Sequence, residues 1–280
     1  MDASNREPFH WRTAIAYKTK DRIVVRGYDL NDLVGSLSFT EMAYLVWRGE
    51  LPSEPHARML DALLVSLAEH AFSPSSAASR LVASGGVPLH VGVAGGMLSI
   101  GSLHGTADRP AGLFKEAVER MEREELSQKD AARKVAGEAR AAGGRLPGFH
   151  HAQHIRDPRT DRLLELSDQY GISGTYVGMA RAIEAATEEF WGRRIYLNGP
   201  GAMGAICLDM GFDTELIKGV FLLSRTVSLV AHTYEEMHRE RGWRASTSSP
   251  IVQPLDLALQ KPEFYDGPRD RPLPKAASRR

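Results

Sequence analysis

The chain has 280 residues, of which 42% are hydrophobic and 25% are charged, as expected for a folded globule with a substantial core. Lys plus Arg and Asp plus Glu both number 35, so no overall field favours nucleic acid or an anionic membrane surface. No apolar run approaches the roughly 20 residues that span a bilayer, and the N-terminus lacks signal-peptide order. The single cysteine, Cys207, excludes an intrachain disulfide and a multi-thiolate zinc site. We therefore expect a cytoplasmic protein that binds neither nucleic acid nor membrane.

Helical signals dominate the first hundred residues. Ser38 and Glu41 have the spacing of a capping box ahead of an apolar helical pattern, and Gly49 marks its stop. A second helix is predicted through residues 59–67, and the Gly- and Ala-rich stretch 88–100 is typical of a buried, closely packed helix. Only residues 22–25 and their neighbours indicate a strand.

The second half of the chain also has helical patterns. Residues 111–142 are charged and rich in Ala and Glu, which predicts two solvated outer helices, the second restarting at Ser127. Asp157 followed by proline predicts a helix start, and another helix is predicted after Gly174. The longest helix is predicted from near Asp213 to about Arg239. We therefore predict an all-α fold.

His104 is the first candidate catalytic residue. It follows the Gly- and Ala-rich helix and precedes Gly105, so its ring is expected at a helix end that a ligand can approach. A neutral imidazole there can donate a hydrogen bond to a carbonyl oxygen as the carbonyl becomes an enolate. The alternative is a capping or buried histidine that bonds only to backbone.

The segment 147–151, Pro-Gly-Phe-His-His, is the second candidate. Its turn offers amides outside any helix and the flat ring of Phe149, while Arg159 in the next helical turn can grip a carboxylate. The alternative is a loop whose histidines touch only solvent. Arg225 lies within an apolar helical stretch, where a guanidinium is costly to bury without an anion. A structural salt bridge is the alternative there.

Metal and nucleotide sites are weaker interpretations. The chain is rich in histidine but has no His-Glu-x-x-His pattern, and His151 with His154 lacks an evident third ligand. We therefore predict no metal site. The Gly-rich stretch 199–204 does not follow a predicted strand, so it does not indicate a phosphate-binding loop.

These pieces, in this order, resemble the citrate synthase superfamily, and most closely its short branch, the citryl-CoA lyases. The resemblance covers about residues 22–245. Single motifs are weakly specific, but five in the family's order and approximate spacing are strong evidence for the fold. The five motifs are the Arg-Gly-Tyr entry in 25–33, the segment 43–52, Leu-His-Gly at 103–105, segment 147–151 with Asp-Pro-Arg at 157–159, and Ser-Arg at 224–225 with Ala-His at 231–232.

The resemblance implies a citrate synthase-like α-helical homodimer that binds a coenzyme A thioester between two domains. The large domain is expected at residues 1–107 and 200–265, the small CoA-binding domain at 108–199, and a mobile tail at 266–280. No permanently bound cofactor is implied, because the CoA thioester is substrate or product.

The same resemblance implies roles for particular residues. His104 stabilises the thioester enolate, and His151 acts on the hydroxyl or ketone oxygen of an oxaloacetate-like half. The side chains of His70, Arg159 and Arg225 hold the carboxylates of a di- or tricarboxylate. The CoA adenine is expected against the loop residues Pro147, Gly148, Phe149, His150 and Ala152.

One departure from the family concerns the catalytic aspartate. The family places it in an Asn-Val-Asp-Gly type of turn before a helix, and this chain has Pro200 where that aspartate falls. Proline cannot transfer a proton, and loss of a positioned general base costs about 10²–10⁴-fold in rate. Asp209 lies too far along the next helix to substitute, and Asp108 is a weak stand-in.

We therefore predict a carbon–carbon lyase that cleaves a hydroxypolycarboxyl-CoA thioester, such as citryl-CoA, into acetyl-CoA and oxaloacetate. Cleavage tolerates loss of the aspartate better than condensation does, because water can return the proton. Two alternatives stay open. One is a condensing enzyme of the same family with a different acyl donor, and the other is a non-catalytic acyl-CoA or carboxylate-binding member.

Overall fold

Eleven helices and one small sheet make up the described part of the chain, residues 11–151 and 154–243, in a computed structural model. The strands are β1 (Ala16–Lys18), β2 (Ile23–Val25) and β3 (Tyr28–Asp29). The helices are α1 (Leu30–Leu33), α2 (Phe39–Arg48), α3 (Glu54–Leu67), α4 (Pro74–Ala83), α5 (Leu89–Leu98), α6 (Asp108–Arg123), α7 (Gln128–Ala141), α8 (Pro158–Gln169), α9 (Thr175–Trp191), α10 (Gly199–Asp209) and α11 (Thr214–Arg239). The all-α prediction is confirmed, and the strand predicted at residues 22–25 is β2.

The sheet is a short antiparallel meander in the order β1-β2-β3. Arg26 and Gly27 connect β2 to β3 with φ values of 48° and 92°, so both adopt the left-handed conformation of a tight hairpin turn. The Arg26 guanidinium donates two hydrogen bonds, of 3.1 and 2.7 Å, to the carbonyl oxygen of Val46. These bonds fix the sheet against α2.

The predicted helix starts are found where the capping residues stand. Ser38 and Glu41 form a complete capping box at the start of α2, and Gly49 ends that helix with φ 82°. The side chain of Asp157 caps α8, and that of Asp213 caps α11. Side-chain oxygens satisfy amides that the first helical turn leaves unpaired, so these local signals predict helix starts reliably.

Two described helices, α1 and α4, were absent from the sequence prediction, and α10 followed only from the family resemblance. α4 is rich in serine, and α10 contains three glycines, so both have low intrinsic helix propensity. Nearly every residue of α10 is buried, and the helix packs against α6, α8 and α9. Packing of α10 therefore offsets a cost of about 1 kcal/mol per glycine.

The longest helix, α11, packs against α3, α4, α5 and α6. It is long and apolar enough to cross a membrane by length and composition alone, which is weak evidence because central helices of folded globules pass the same test. It also carries Arg225 and Glu236, which are 2% and 3% exposed. Cys207 on α10 is fully buried in the core.

The proposed division into two domains stays a prediction. The expected boundary at residues 199/200 separates α10 from α6, α8 and α9, the helices on which it packs most extensively. One hydrophobic core cluster includes residues from α3, α6, α9, α10 and α11. The tail at 266–280 lies outside the described residues.

Candidate active site

Three half-buried histidines from two connections converge at one place. His70 lies in the connection between α3 and α4. His151 and His154 lie just before α8. The ring centroid of His70 is 5.5 Å from that of His151 and 6.0 Å from that of His154, and the last two are 4.5 Å apart. We call these three residues the histidine cluster.

His104 is held in a defined orientation beside this cluster. Its Nε2 is 2.8 Å from the hydroxyl of Ser75, which is fully buried, and its ring stands edge-on to Phe221 at 6.2 Å. The alternative of a histidine bonded only to backbone is therefore not what the structure shows. A Cβ at Gly105 would lie 2.5 Å from the Phe221 ring, so only glycine permits the chain to pass there.

The environment of His104 favours the neutral ring. Burial lowers its pKa to about 4, and the positive charges of Arg225, His70 and Lys218 act in the same direction. A neutral imidazole can donate a hydrogen bond to an oxygen that gains negative charge. The influence of both His70 and Arg225 also indicates that these side chains share one site with His104.

Arg225 is a buried guanidinium without a paired anion in the described residues. It is 2% exposed, and its Nε and Nη1 have no hydrogen-bond partner among residues 11–151 and 154–243. Burial lowers its pKa, the charge of Glu69 offsets this in part, and Arg159 adds to the lowering. Its Cζ lies 5.4 Å from the centre of the Phe221 ring. The structural salt bridge considered from sequence is not found there, and the unpaired nitrogens suit an anionic ligand.

Arg159 is engaged differently from the expectation. Its Nε and Nη2 donate to the carboxylate of Asp157 at 2.9 and 2.6 Å, which leaves Nη1 for a substrate carboxylate. Asp157 also accepts from the amide of Gly199 at 2.9 Å. Burial raises the pKa of Asp157, but these hydrogen bonds and the guanidinium charge outweigh it and lower the pKa well below its usual range. The pair therefore orients Arg159 and joins α8 to the start of α10.

The loop at 147–151 packs directly on the start of α10. A Cβ at Gly148 would lie 2.5 Å from Pro110 and 3.1 Å from Gly201, and the φ of Gly148 is +84°, so this position requires glycine. Asn198 donates from its backbone amide to Gly148 and from its side chain to the carbonyl oxygen of His150. Asn198 thus joins the loop at 147–151 to the start of α10.

Two expectations about this loop do not hold in the described structure, one for its amides and one for the ring of Phe149. Its amides were expected to be available to a ligand, but those of Phe149 and His150 donate to Leu146 and Tyr196. Phe149 is 6% exposed and packs edge-on against Phe114, because its ring completes the core beneath the loop. Ala152 lies outside the described residues, so its expected contact stays a prediction.

A cleft of about 700 Å³ opens beside this loop. Its lining includes all four described residues expected to contact CoA, together with three arginines and a tryptophan that the sequence analysis did not select. The four expected residues are Pro147, Gly148, Phe149 and His150, and the additional ones are Arg109, Arg145, Arg193 and Trp191. A cleft of this size with three guanidiniums suits a large anionic ligand with a flat ring.

The two carboxylates considered as substitutes for the one missing at Pro200 are both engaged with other groups of the described residues. Pro200 is half-buried in the first turn of α10. The carboxylate of Asp209 accepts three backbone amides at the start of α9, so its role is structural. Asp108 forms an ion pair with Lys218 at 2.9 Å, and Lys218 also donates to the carbonyl oxygen of Gly105. Both candidate substitutes are therefore held by other partners.

The fold and these motifs match known proteins. The structure is similar to that of citryl-CoA lyase from Hydrogenobacter thermophilus, with 35% sequence identity and a TM-score of 0.81 over 94% of this chain and 97% of that one. ATP citrate lyase from Methanothrix soehngenii is 20% identical over 91% of this chain and 44% of its own, with a TM-score of 0.73, and supports the fold alone.

Comparison of sequences finds relatives among citrate synthases and 2-methylcitrate synthases. Citrate synthase 1 of Mycobacterium tuberculosis is 31% identical over 68% of this chain and 46% of its own length. The 2-methylcitrate synthase of Shewanella oneidensis is 28% identical over 74% of this chain and 54% of its own length. The chain thus spans about half the length of these relatives. The model of the citrate synthase C-terminal domain matches residues 52–246. The chain therefore belongs to the citrate synthase family.

Proposed function

We propose that the protein is a carbon–carbon lyase that cleaves a hydroxypolycarboxyl-CoA thioester, such as citryl-CoA, into acetyl-CoA and oxaloacetate. The observation that carries this proposal is the buried guanidinium of Arg225, with two unpaired nitrogens, beside the neutral ring of His104. The first group fits a carboxylate, and the second fits a thioester oxygen that becomes an enolate. Likeness to a citryl-CoA lyase over almost the whole chain supports the cleavage direction.

His104 stabilises the electrons released when the carbon–carbon bond breaks. If Ser75 donates its hydroxyl proton to Nε2, the neutral ring carries its own proton on Nδ1. Nδ1 then donates to the thioester oxygen, which takes up negative charge as the bonding pair moves into the enolate. The enolate carbon finally takes a proton from water, because Pro200 has none to give.

His151 removes the hydroxyl proton at the other end of that bond. Its Nδ1 accepts a 3.2 Å hydrogen bond from the backbone amide of His154, which assigns the proton of the neutral ring to Nε2. Cleavage requires the opposite tautomer, so the His154 amide must turn away before Nε2 can act as a base. In the condensation direction the observed tautomer is already a donor to a ketone oxygen. His151 therefore serves both directions through a shift of this one hydrogen bond.

The CoA portion is proposed to occupy the 700 Å³ cleft beside the loop at 147–151. CoA carries phosphate groups, and Arg109, Arg145 and Arg193 supply guanidiniums around the cleft. The indole of Trp191 offers a flat surface for the adenine in place of the buried ring of Phe149.

The direct test is incubation of the purified full chain with citryl-CoA. Oxaloacetate is followed by its reduction with malate dehydrogenase and NADH, and acetyl-CoA is identified by mass spectrometry. We expect both products in equal amounts, and we expect His104→Ala and His151→Ala each to lower the rate by about 10²-fold or more. His90→Gln is the matched control, because His90 is exposed on α5. Absence of both products from citryl-CoA and from related acyl-CoA thioesters contradicts the proposal.

Pro200 also favours a second candidate, a non-catalytic acyl-CoA or carboxylate-binding protein. Calorimetry that detects CoA binding without any turnover would support this candidate. Pro200→Asp places a carboxylate in the first turn of α10, where the helix dipole also favours it. Cleavage that appears only in Pro200→Asp, and not in the control Pro200→Ala, would assign the natural chain to the binding class. A condensing enzyme with another acyl donor would instead join oxaloacetate and an acyl-CoA without these changes.

Assembly and location complete the proposal. A cytoplasmic homodimer is proposed, with no nucleic acid or membrane partner. In support of a reducing compartment, the sequence has a single cysteine, so no intrachain disulfide stabilises its fold. In support of a dimer, α11 has exposed apolar side chains along one face.

A further inference from the structure

The histidine cluster has a property that the family's chemistry does not require. One imidazole nitrogen from each of His70, His151 and His154 lies within 4.8 Å of the other two. Enolate chemistry uses one base at the substrate hydroxyl, and the imidazole of His154 has no part in it. Two connections of the chain nevertheless bring three nitrogen ligands to one point. Sequence spacing revealed only two of them, and His70 comes from a segment 81 positions before His151.

The separations are compatible with metal coordination after a small adjustment. Zinc binds imidazole nitrogen at about 2.0–2.1 Å, which places nitrogens in a tetrahedral site about 3.3 Å apart. The nitrogens therefore need to approach one another by at most about 1.5 Å. All three residues lie outside helices and strands and are half-buried, so side-chain rotation can supply this movement without disturbing the core.

The surrounding charges favour an ion with an anionic fourth ligand. Arg159 and Arg225 oppose an added dication, because both act electrostatically in this site. Asp157 acts on His151 in the opposite sense, and Glu69 does so on Arg225. The added positive charge is thus only partly compensated by protein, and a carboxylate or hydroxide oxygen completes the balance.

Coordination also has a defined consequence for the proton on His151. In the metal-free ring the proton is on Nε2, because Nδ1 accepts from the amide of His154. An ion that binds Nε2 shifts the proton to Nδ1 and displaces that amide. No net proton is released, because this histidine is neutral before and after the ion binds.

We propose that His70, His151 and His154 form a binding site for one divalent transition-metal ion. The ligand set is three neutral imidazoles, which suits ions of the Zn²⁺, Co²⁺ and Ni²⁺ class. The fourth position is open to an oxygen of a carboxylate or hydroxyl group. This site shares His70 and His151 with the proposed active site, but its existence does not depend on lyase activity.

The test uses the tag-free full chain, stripped with a chelator, and the metal alone without substrate. Calorimetry with Zn²⁺ is expected to give one ion per chain with a dissociation constant below about 10 µM. Co²⁺ is expected to give the visible absorption bands of a four- or five-coordinate nitrogen site. His154→Gln and His70→Gln are each expected to weaken binding by about 100-fold, while His90→Gln binds as the natural chain does.

The readouts separate this proposal from the proposed function. Circular dichroism and thermal unfolding establish that each variant is folded before its affinity is compared. No stoichiometric binding to the natural chain, or equal affinity in His154→Gln and His90→Gln, overturns the metal site. Neither result bears on citryl-CoA cleavage, which is assayed separately, and absent cleavage leaves the metal titration unaffected.

Discussion

At residue scale, Arg225 connects stability with ligand binding. Its guanidinium is 2% exposed and has two nitrogens unpaired among the described residues, so the unliganded protein carries a poorly compensated charge. We expect Arg225→Met to stabilise the free protein by about 1 kcal/mol or more, raising Tm by about 2–4 °C for each kcal/mol. The same change is expected to weaken oxaloacetate binding at least about tenfold. Thermal unfolding and calorimetry measure the two effects.

Arg225→Lys is the matched control for this prediction. It keeps a positive charge but loses the planar fork, so it is expected to recover part of the binding and none of the stabilisation. A fall in Tm for Arg225→Met would contradict the prediction, because it would mean that the guanidinium is already satisfied within the free protein.

His104 predicts a particular dependence of stability on pH. Its pKa is about 4 in the folded protein and 6.5 for an ordinary histidine, so the unfolded chain binds the proton more readily. The stabilisation from a neutral His104 is therefore fully present above pH 6.5 and is lost as pH falls from 6.5 towards 4. Because the ring is half-buried, we expect His104 to contribute on the order of 1 kcal/mol to the loss between pH 7 and 5.

Urea unfolding at pH 7 and pH 5 measures this contribution. His104→Asn is expected to lose less stability than the natural chain on acidification, since it removes the group that titrates. The other histidines are present in both proteins, so the difference between the two losses of stability isolates His104. Equal losses of stability between pH 7 and pH 5 in the two proteins would mean that the ring is protonated as easily in the folded state as in the unfolded state.

The site residues were predictable from sequence where a chemical type was unusual for its setting. A guanidinium within an apolar helix and a histidine before glycine both satisfied that condition, although His104 lies in the connection between α5 and α6 and not at a helix end. Ser75 did not, because a serine within a serine-rich segment carries no mark of the partner it meets, and His104 lies 29 positions away. The approach of His70 to His151 and His154 was missed for the same reason, and so were the arginines of the cleft. Such partners become neighbours only through the fold.

At the scale of elements, Asp157 joins the start of α8 to the start of α10. It is 1% exposed, caps α8, pairs with Arg159 and accepts from Gly199. We expect Asp157→Ala to lower the free energy of unfolding by about 2–3 kcal/mol, because it removes a cap and leaves buried donors without an acceptor. Asp157→Asn keeps a good capping side chain and is expected to cost about 1 kcal/mol. Urea unfolding near neutral pH compares them.

An equal loss in the two Asp157 variants would contradict this account, since it would assign the whole effect to charge and none to hydrogen bonding.

Helices α8 and α10 show how far local sequence signals reach. Asp157 and Pro158 predicted the start of α8, whereas α10 was not predicted from its glycines. Gly201 and Gly204 allow α10 to approach the 147–151 loop and α6, so the residues that weaken the isolated helix are those that permit its packing.

At the scale of the whole molecule, the all-α class and most helix starts followed from periodicity and capping. The prediction succeeded where the signal is local, as at Ser38 and Asp213. Which helices pack together is a non-local property, so the close packing of α10 on α6 and α9 could not be read from pattern. The role of the exposed apolar side chains of α11 is also non-local, because it depends on a partner molecule.

That surface supports the final prediction, a homodimer that uses α11. Val227, Val230, Tyr234 and Met237 follow one another at helical spacing and are 67%, 41%, 57% and 42% exposed. An exposed apolar stripe of this kind suits a two-fold interface, which typically buries about 800 Å² per partner. We expect light scattering after gel filtration to give a dimer for the natural chain and a monomer for Val227→Asp. Val34→Asp is the matched control, because Val34 is 71% exposed elsewhere on the molecule. A monomeric natural chain, or a Val227→Asp variant that dimerises as Val34→Asp does, would exclude this face as the interface.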